Sequence, residues 1–159
     1  MRTIGLLIVI AAFVLASGCQ SKKESDAPAS GEQAQKVPEP DYITVQHILI
    51  AFGGSLPGKP IVRNKLEARA LAEDLFKRAQ AGEDFDALVR EYTDDSFPGK
   101  YKMANFGLPA STDQKIYPRG QMVKAFGDIG FPLAVGDVGM AEYDPQLSKY
   151  GWHIIKRVE

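Results

Sequence analysis

The chain has a single cysteine, Cys19, and only two histidines among its 159 residues. One thiol excludes a disulfide within the chain and leaves a structural zinc site without its thiolate ligands. Two histidines would need carboxylates to complete a tetrahedral metal set, and no spacing suggests one. Basic residues are not in excess: 19 Lys and Arg face 20 Asp and Glu, for a net charge of −1. That balance argues against a phosphate-neutralising face for nucleic acid. The glycine-rich loop that follows Phe52 lacks the Gly-Lys-Ser/Thr ending of a phosphate cradle, and no serine sits in a glycine elbow. No internal repeat is visible. The uncharged run Ile4 to Leu15 is too short to span a bilayer comfortably.

What is present divides the chain in three. Met1-Arg2, the apolar run and Leu15-Ala16-Ser17-Gly18-Cys19 together resemble a bacterial lipoprotein signal, although Leu15 stands one step earlier than usual. The resemblance implies a leader over 1–18, removed by cleavage, and lipid on Cys19 that ties the protein to a membrane surface. Residues 19–41 then read as a disordered tether: Ser, Lys, Glu, Gln and Ala with Pro28, Pro38 and Pro40, and Val37 as the only large aliphatic residue. Residues 42–159 are expected to form one folded domain.

Within that domain the alternation of Tyr42 to Ala51 predicts a strand, with Val45, His47 and Leu49 on one face and Gln46, Ile48 and Ile50 on the other. Asn64 with Glu67 three residues on predicts a capped helix start, and Gly82 its stop. A second helix carries Phe85, Leu88, Val89 and Tyr92 on one face. Thr93 to Gly99 reads as a polar turn, Met103 to Gly107 as a short strand, 108–118 as a loop and Gln121 to Phe126 as a short helix. Strands near Val138 to Glu142 and Trp152 to Val158 close the chain. The order predicts an α+β domain with a mostly antiparallel sheet.

His47 and His153 stand inside the first and last of these strands. A titratable ring inside an apolar strand needs a hydrogen-bond partner. Taken alone, such a histidine is more often a satisfied core residue than a functional one. Two of them on adjacent strands can satisfy each other.

Five stretches carry a family resemblance. They are Val45-Gln46-His47-Ile48-Leu49-Ile50, the helix pair through Ala81-Gly82-Glu83-Asp84-Phe85 and Leu88 to Asp95, Arg119-Gly120-Gln121-Met122-Val123-Lys124-Ala125-Phe126, Val135-Gly136-Asp137-Val138, and Tyr150-Gly151-Trp152-His153-Ile154-Ile155-Lys156. In this order they resemble parvulin-type peptidyl-prolyl cis-trans isomerases. The resemblance implies a βαααβαββ fold with a four-stranded antiparallel sheet wrapped by helices. It also implies catalysed rotation about Xaa-Pro bonds without metal or cofactor. Carried over by position, the catalytic set is His47, Asp95 and His153, and the prolyl pocket is Met122 and Phe126, with Phe106 and Ser148 as further lining residues.

Lys102 to Gly107 replaces the usual Gly-Gly-Asp-Leu-Gly approach, and residues 108–118 and 144–147 look longer than common. Lys59 and Arg63 are separated, unlike the basic cluster with which the phosphate-dependent branch grips phosphoserine-proline, so phosphate specificity is not expected. The reading is a cofactor-independent isomerase of the bacterial cell envelope, lipid-anchored and facing the periplasm or exterior. It would act on unfolded, proline-containing exported polypeptides. The competing reading is a chaperone or binding module of the same fold with little isomerase activity.

Overall fold

The computed structural model describes residues 38–159 of the chain. The expected leader, Cys19 and nearly all of the expected tether lie outside the described residues. The sheet is built around β1, Tyr42–Ile50, because both of its faces are apolar enough to be covered. Ile48 and Ile50 pack under two helices, α1 (Lys65–Gln80) and α2 (Phe85–Tyr92), with Leu75, Leu88 and Trp152. On the other face Ile43 and Val45 pack with Met103, Phe126, Phe131 and Ile155.

Local chemistry sets the helix ends as expected. The Asn64 side chain accepts from the Leu66 and Glu67 amides, and Glu67 Oε2 accepts from the Asn64 amide at 2.7 Å, a complete capping box. Gly82, with φ +88°, turns the chain out of α1, and the Asp84 side chain caps α2.

Among the described residues five strands form one sheet: β1; β2, Lys100–Ala104; β3, Ile116–Pro118; β4, Val138–Ala141; and β5, Trp152–Arg157. Their order across the sheet is β3-β2-β1-β5-β4. A turn of 3₁₀ helix, Arg119–Gln121, and a third helix, α3 (Lys124–Gly130), connect β3 to β4.

The α+β class holds, with three differences in detail. Only two helices separate β1 from β2. The segment after α2 instead hydrogen-bonds back onto the end of β1: Asp94 N donates to Leu49 O, Leu49 N to Thr93 Oγ1 and Ala51 N to Asp94 Oδ2. Polar groups that would compete with a helix here extend the sheet's bonding instead. Second, β2 starts at Lys100 and pairs antiparallel with Tyr42 to Gln46, three residues before the strand expected from Met103. Third, the end of the expected loop 108–118 is β3, which lies parallel to β2 and makes the sheet mixed.

The last residues of the expected tether also bond to the domain. Asn105 N donates to Asp41 O at 2.8 Å, and Asn105 Nδ2 to Pro40 O at 3.1 Å. Among the described residues no helix is long and apolar enough to cross a membrane.

Candidate active site

β1 and β5 are antiparallel neighbours in which Leu49 faces His153 and His47 faces Ile155. Diagonal partners of this kind share a face and come within reach of long side chains. The two imidazoles meet there: His47 Nδ1 lies 3.2 Å from His153 Nδ1, with the ring planes 15° apart. On the far side of His47, Nε2 lies 3.1 Å from Asp95 Oδ2. Tyr101, on β2, donates its hydroxyl to the same carboxylate oxygen at 3.2 Å. Phe126 presents its ring edge-on to both histidines, at centroid distances of 5.0 and 5.6 Å.

One arrangement of protons satisfies these contacts. His47 Nε2 faces a carboxylate, so it carries the hydrogen there. A neutral ring then has a bare Nδ1, which accepts from His153 Nδ1–H. His153 Nε2 is left as a lone pair, in agreement with its being buried and without a partner. Burial, and then the neighbouring His47, push His153 down to about 3, against the pull of Asp95. The His47 hydrogen bond holds Asp95 below the usual carboxylate range in spite of its partial burial. Burial and then the Asp95 charge push the Tyr101 phenol up to about 12. At neutral pH the group is therefore a neutral His153, an ionised Asp95 and an intact phenol.

Beside the relay opens a cleft of about 260 Å³. Its lining joins the apolar side chains of Leu49, Leu56, Met122, Val123 and Phe126 to the two histidines, Asp95, Tyr101 and Tyr150. A larger cleft of about 470 Å³ is lined by Lys65, Leu66, Arg69, Glu142, Tyr143 and Trp152, and it holds neither histidine. Among the described residues no cluster of three or more His, Cys, Asp or Glu is placed to hold a metal ion.

Five of the seven expected site residues thus converge: His47, Asp95, His153, Met122 and Phe126. The expected helix over Gln121 to Phe126 does not form as such. Met122 sits in an extended link (ψ 164°) between the 3₁₀ turn and α3, so it reaches the cleft from a link and not from the helix that carries Phe126. Phe106 does not line the cleft. It is 68% exposed and lies on the Arg119 guanidinium, 4.8 Å from its centre. Ser148 is fully buried, and its hydroxyl donates to Gly151 O at 2.8 Å, so it latches the turn into β5 without reaching the cleft.

Tyr101, Tyr150, Leu56 and Gln121 line the cleft and escaped the sequence reading. Tyr101 was recoverable, because Tyr101 and Met103 alternate with Lys100 and Lys102 as a half-buried strand should. Arg63 donates to Ala51 O at 3.1 Å and is ion-paired to Asp94, so it braces the end of β1, while Lys59 is exposed.

Comparison with known proteins gives a consistent picture. The family model of the PPIC-type PPIase domain matches residues 31–159. Chaperone SurA of Chromohalobacter salexigens is 36% identical over 127 residues, covering 79% of this chain and 24% of that protein. Foldase protein PrsA of Bacillus subtilis is 35% identical over 88 residues, 55% of this chain and 26% of that protein. The chain therefore spans about a quarter of the length of these relatives. Among solved structures, peptidyl-prolyl isomerase ESS1 from Candida albicans superposes with a TM-score of 0.56 at 25% identity, covering 77% of this chain and 66% of that one. The solution structure of TbPIN1 gives 0.55 at 20% identity, covering 75% and 98%.

Proposed function

The chain belongs to the PPIC-type PPIase domain family, and on that footing we propose that it catalyses cis-trans rotation about Xaa-Pro bonds in unfolded polypeptides. The single observation that carries this reading is the relay of His153, His47 and Asp95 set against an apolar cleft walled by Met122 and Phe126.

Rotation about a peptide bond crosses a barrier of about 18–20 kcal/mol, the cost of losing amide resonance. The planar amide is charge-separated, and the twisted one, with a pyramidal nitrogen and a ketone-like carbonyl, is less so. An apolar cleft that takes the pyrrolidine ring between Met122 and Phe126 favours the twisted form relative to the planar one. Asp95 is a poor nucleophile here, because two donors occupy its Oδ2. Its role is to hold His47 in one tautomer and to set the field beside the substrate carbonyl. His47 and His153 keep the end of the cleft rigid. No covalent intermediate is required.

A peptide isomerisation assay tests the reading. Met122→Ala should lower kcat/KM roughly tenfold, or about 1.4 kcal/mol, chiefly by raising KM, since the lost contact holds the ring in both states. Wild-type rates no better than buffer would remove the enzyme and leave a module that holds extended chains. That second reading has support in the likeness to a protein named as a chaperone over 79% of this chain.

The division into a leader over 1–18, a lipidated Cys19 with a tether to residue 41, and an isomerase domain over 42–159 is part of the proposal. So is a place in the bacterial envelope, among exported proline-containing clients. The support is the Leu15-Ala16-Ser17-Gly18-Cys19 sequence and the composition of the segment after it. Labelling with radioactive palmitate in a bacterial host should mark the wild type and not Cys19→Ser. Equal labelling of the two would end the anchoring proposal.

A further inference from the structure

Met122 occupies a link between two elements that cap themselves poorly. Neither the 3₁₀ turn Arg119–Gln121 nor α3 has a side-chain cap. Met122 N donates to Arg119 O at 3.1 Å, and the start of α3 takes a bond from outside, Ala125 N to Leu147 O at 3.0 Å. Side chains packed around this segment add to what fixes it.

One side chain does this. Arg119 is 8% exposed, an unusual burial for an arginine. Its Nη2 donates to Asp128 Oδ1 on α3 at 3.2 Å, and its Nη1 to Asn105 Oδ1 beyond β2 at 3.0 Å. Nη1 also donates to Glu39 Oε2 at 2.6 Å, at the point where the chain enters the domain. The guanidinium lies on Phe131, 4.5 Å from its centroid. Gly127 leaves room for the stem: a Cβ there would stand 2.9 Å from Arg119 Cγ. The guanidinium thus ties the 3₁₀ turn, α3, the loop after β2 and the entry segment together, with Met122 between the first two.

We propose that Arg119 is a positioning residue for the prolyl cleft and that Glu39, in the entry segment, is the carboxylate that locks it. The inference rests on the isomerase reading above for its effect on catalysis, and on the geometry alone for its effect on Met122. The site is then completed by a residue lying before β1, so the grip of the cleft on proline depends on how the chain enters the domain.

The test uses the full chain with Glu39→Ala and Arg119→Lys, and with Glu73→Ala as a control that breaks the exposed Arg69 pair elsewhere. Lysine keeps the charge but has no planar fork to span Glu39, Asn105 and Asp128. Both test variants should raise KM roughly three- to tenfold with kcat within about twofold, and the double variant should be little worse than either single one. The Met122 methyl resonance should move in both, and Glu73→Ala should leave KM and that resonance unchanged. A Glu39→Ala protein with wild-type KM and an unmoved Met122 methyl signal would overturn the proposal, whatever its melting temperature. Should Arg119→Lys not fold, Glu39→Ala decides alone. If the wild type shows no isomerase activity, the isomerase reading falls, and the methyl resonance still settles the positioning role.

Discussion

Gly151→Ala should destabilise the domain by about 3–5 kcal/mol and abolish the active cleft, well beyond the effect of an ordinary surface glycine. Gly151 has φ +145°, a conformation that L side chains rarely adopt. A Cβ there would lie 2.1 Å from Ile50 O and 2.9 Å from Ile50 C. These are backbone atoms of β1, and they cannot swing aside as a side chain would. Relief requires β5 to move away from β1 at its first residues, where Trp152 faces Ile50 and His153 faces Leu49. Trp152 would then leave the α1 core, and His153 would lose its 3.2 Å contact with His47. Gly136→Ala is the comparison. Its φ of +96° is also unfavourable, but nothing lies within 4 Å of the added methyl. It should cost only about 1–2 kcal/mol, the backbone penalty alone. Chemical denaturation of both variants, with the isomerisation assay alongside, measures the difference. Equal midpoints for the two would show that the close approach to Ile50 is not felt.

The same turn shows why the sequence was legible in some places and not in others. The alternation of β1 placed His47 on the correct face, and β5 is apolar enough to declare itself, so the histidine pair followed from two strands being neighbours. Asn64, Glu67 and Gly82 speak through local chemistry, and the structure returns each of them in its expected role. Ser148 failed because position relative to the final strand says nothing about where a hydroxyl turns. The nearby Gly151 carbonyl takes it, and the cleft does not. Phe106 lies outside the cleft for a related reason: an aromatic residue in a segment of altered length has no register to fix it, and here its exposed ring lies on the buried Arg119 guanidinium.

Other misses are matters of scale. β3 is three residues long and ends in proline, so no period can reveal it, and its existence depends on β2 being beside it. Met122 and Phe126 both line the cleft although the helix expected over Gln121 to Phe126 does not join them. Arg119 was passed over within its own motif, because a charged residue is read by default as solvated. One of its partners, Glu39, stands far off in sequence, and only the fold brings the two together.

Acid should weaken the domain well above the pH at which carboxylates protonate, by about 2 kcal/mol between pH 6.5 and 4.5, through His153 alone. The folded imidazole titrates near 3, pushed down by burial and by His47, whereas an unfolded histidine titrates near 6.5. Between those values the unfolded chain binds the extra proton and the folded one does not, so stability falls as pH falls, by up to about 1.4 kcal/mol per pH unit. Above pH 6.5 the contribution is present in full. Asp95 has the same sign in a lower window. Its folded value is depressed below 3.8, so the stability it lends is lost only as pH drops through and beneath that range. The two windows separate the groups: a slope above pH 4.5 reports the buried imidazole, and one below pH 4 the carboxylates. His153→Leu, which removes the titrating ring, should flatten the upper window while leaving the lower one. Urea denaturation midpoints at pH 6.5, 5.5 and 4.5 for the wild type and for His153→Leu supply the measurement. A wild type with unchanged stability across those three values would mean that the imidazole is not held neutral, and the proton relay through His47 to Asp95 would have to be redrawn.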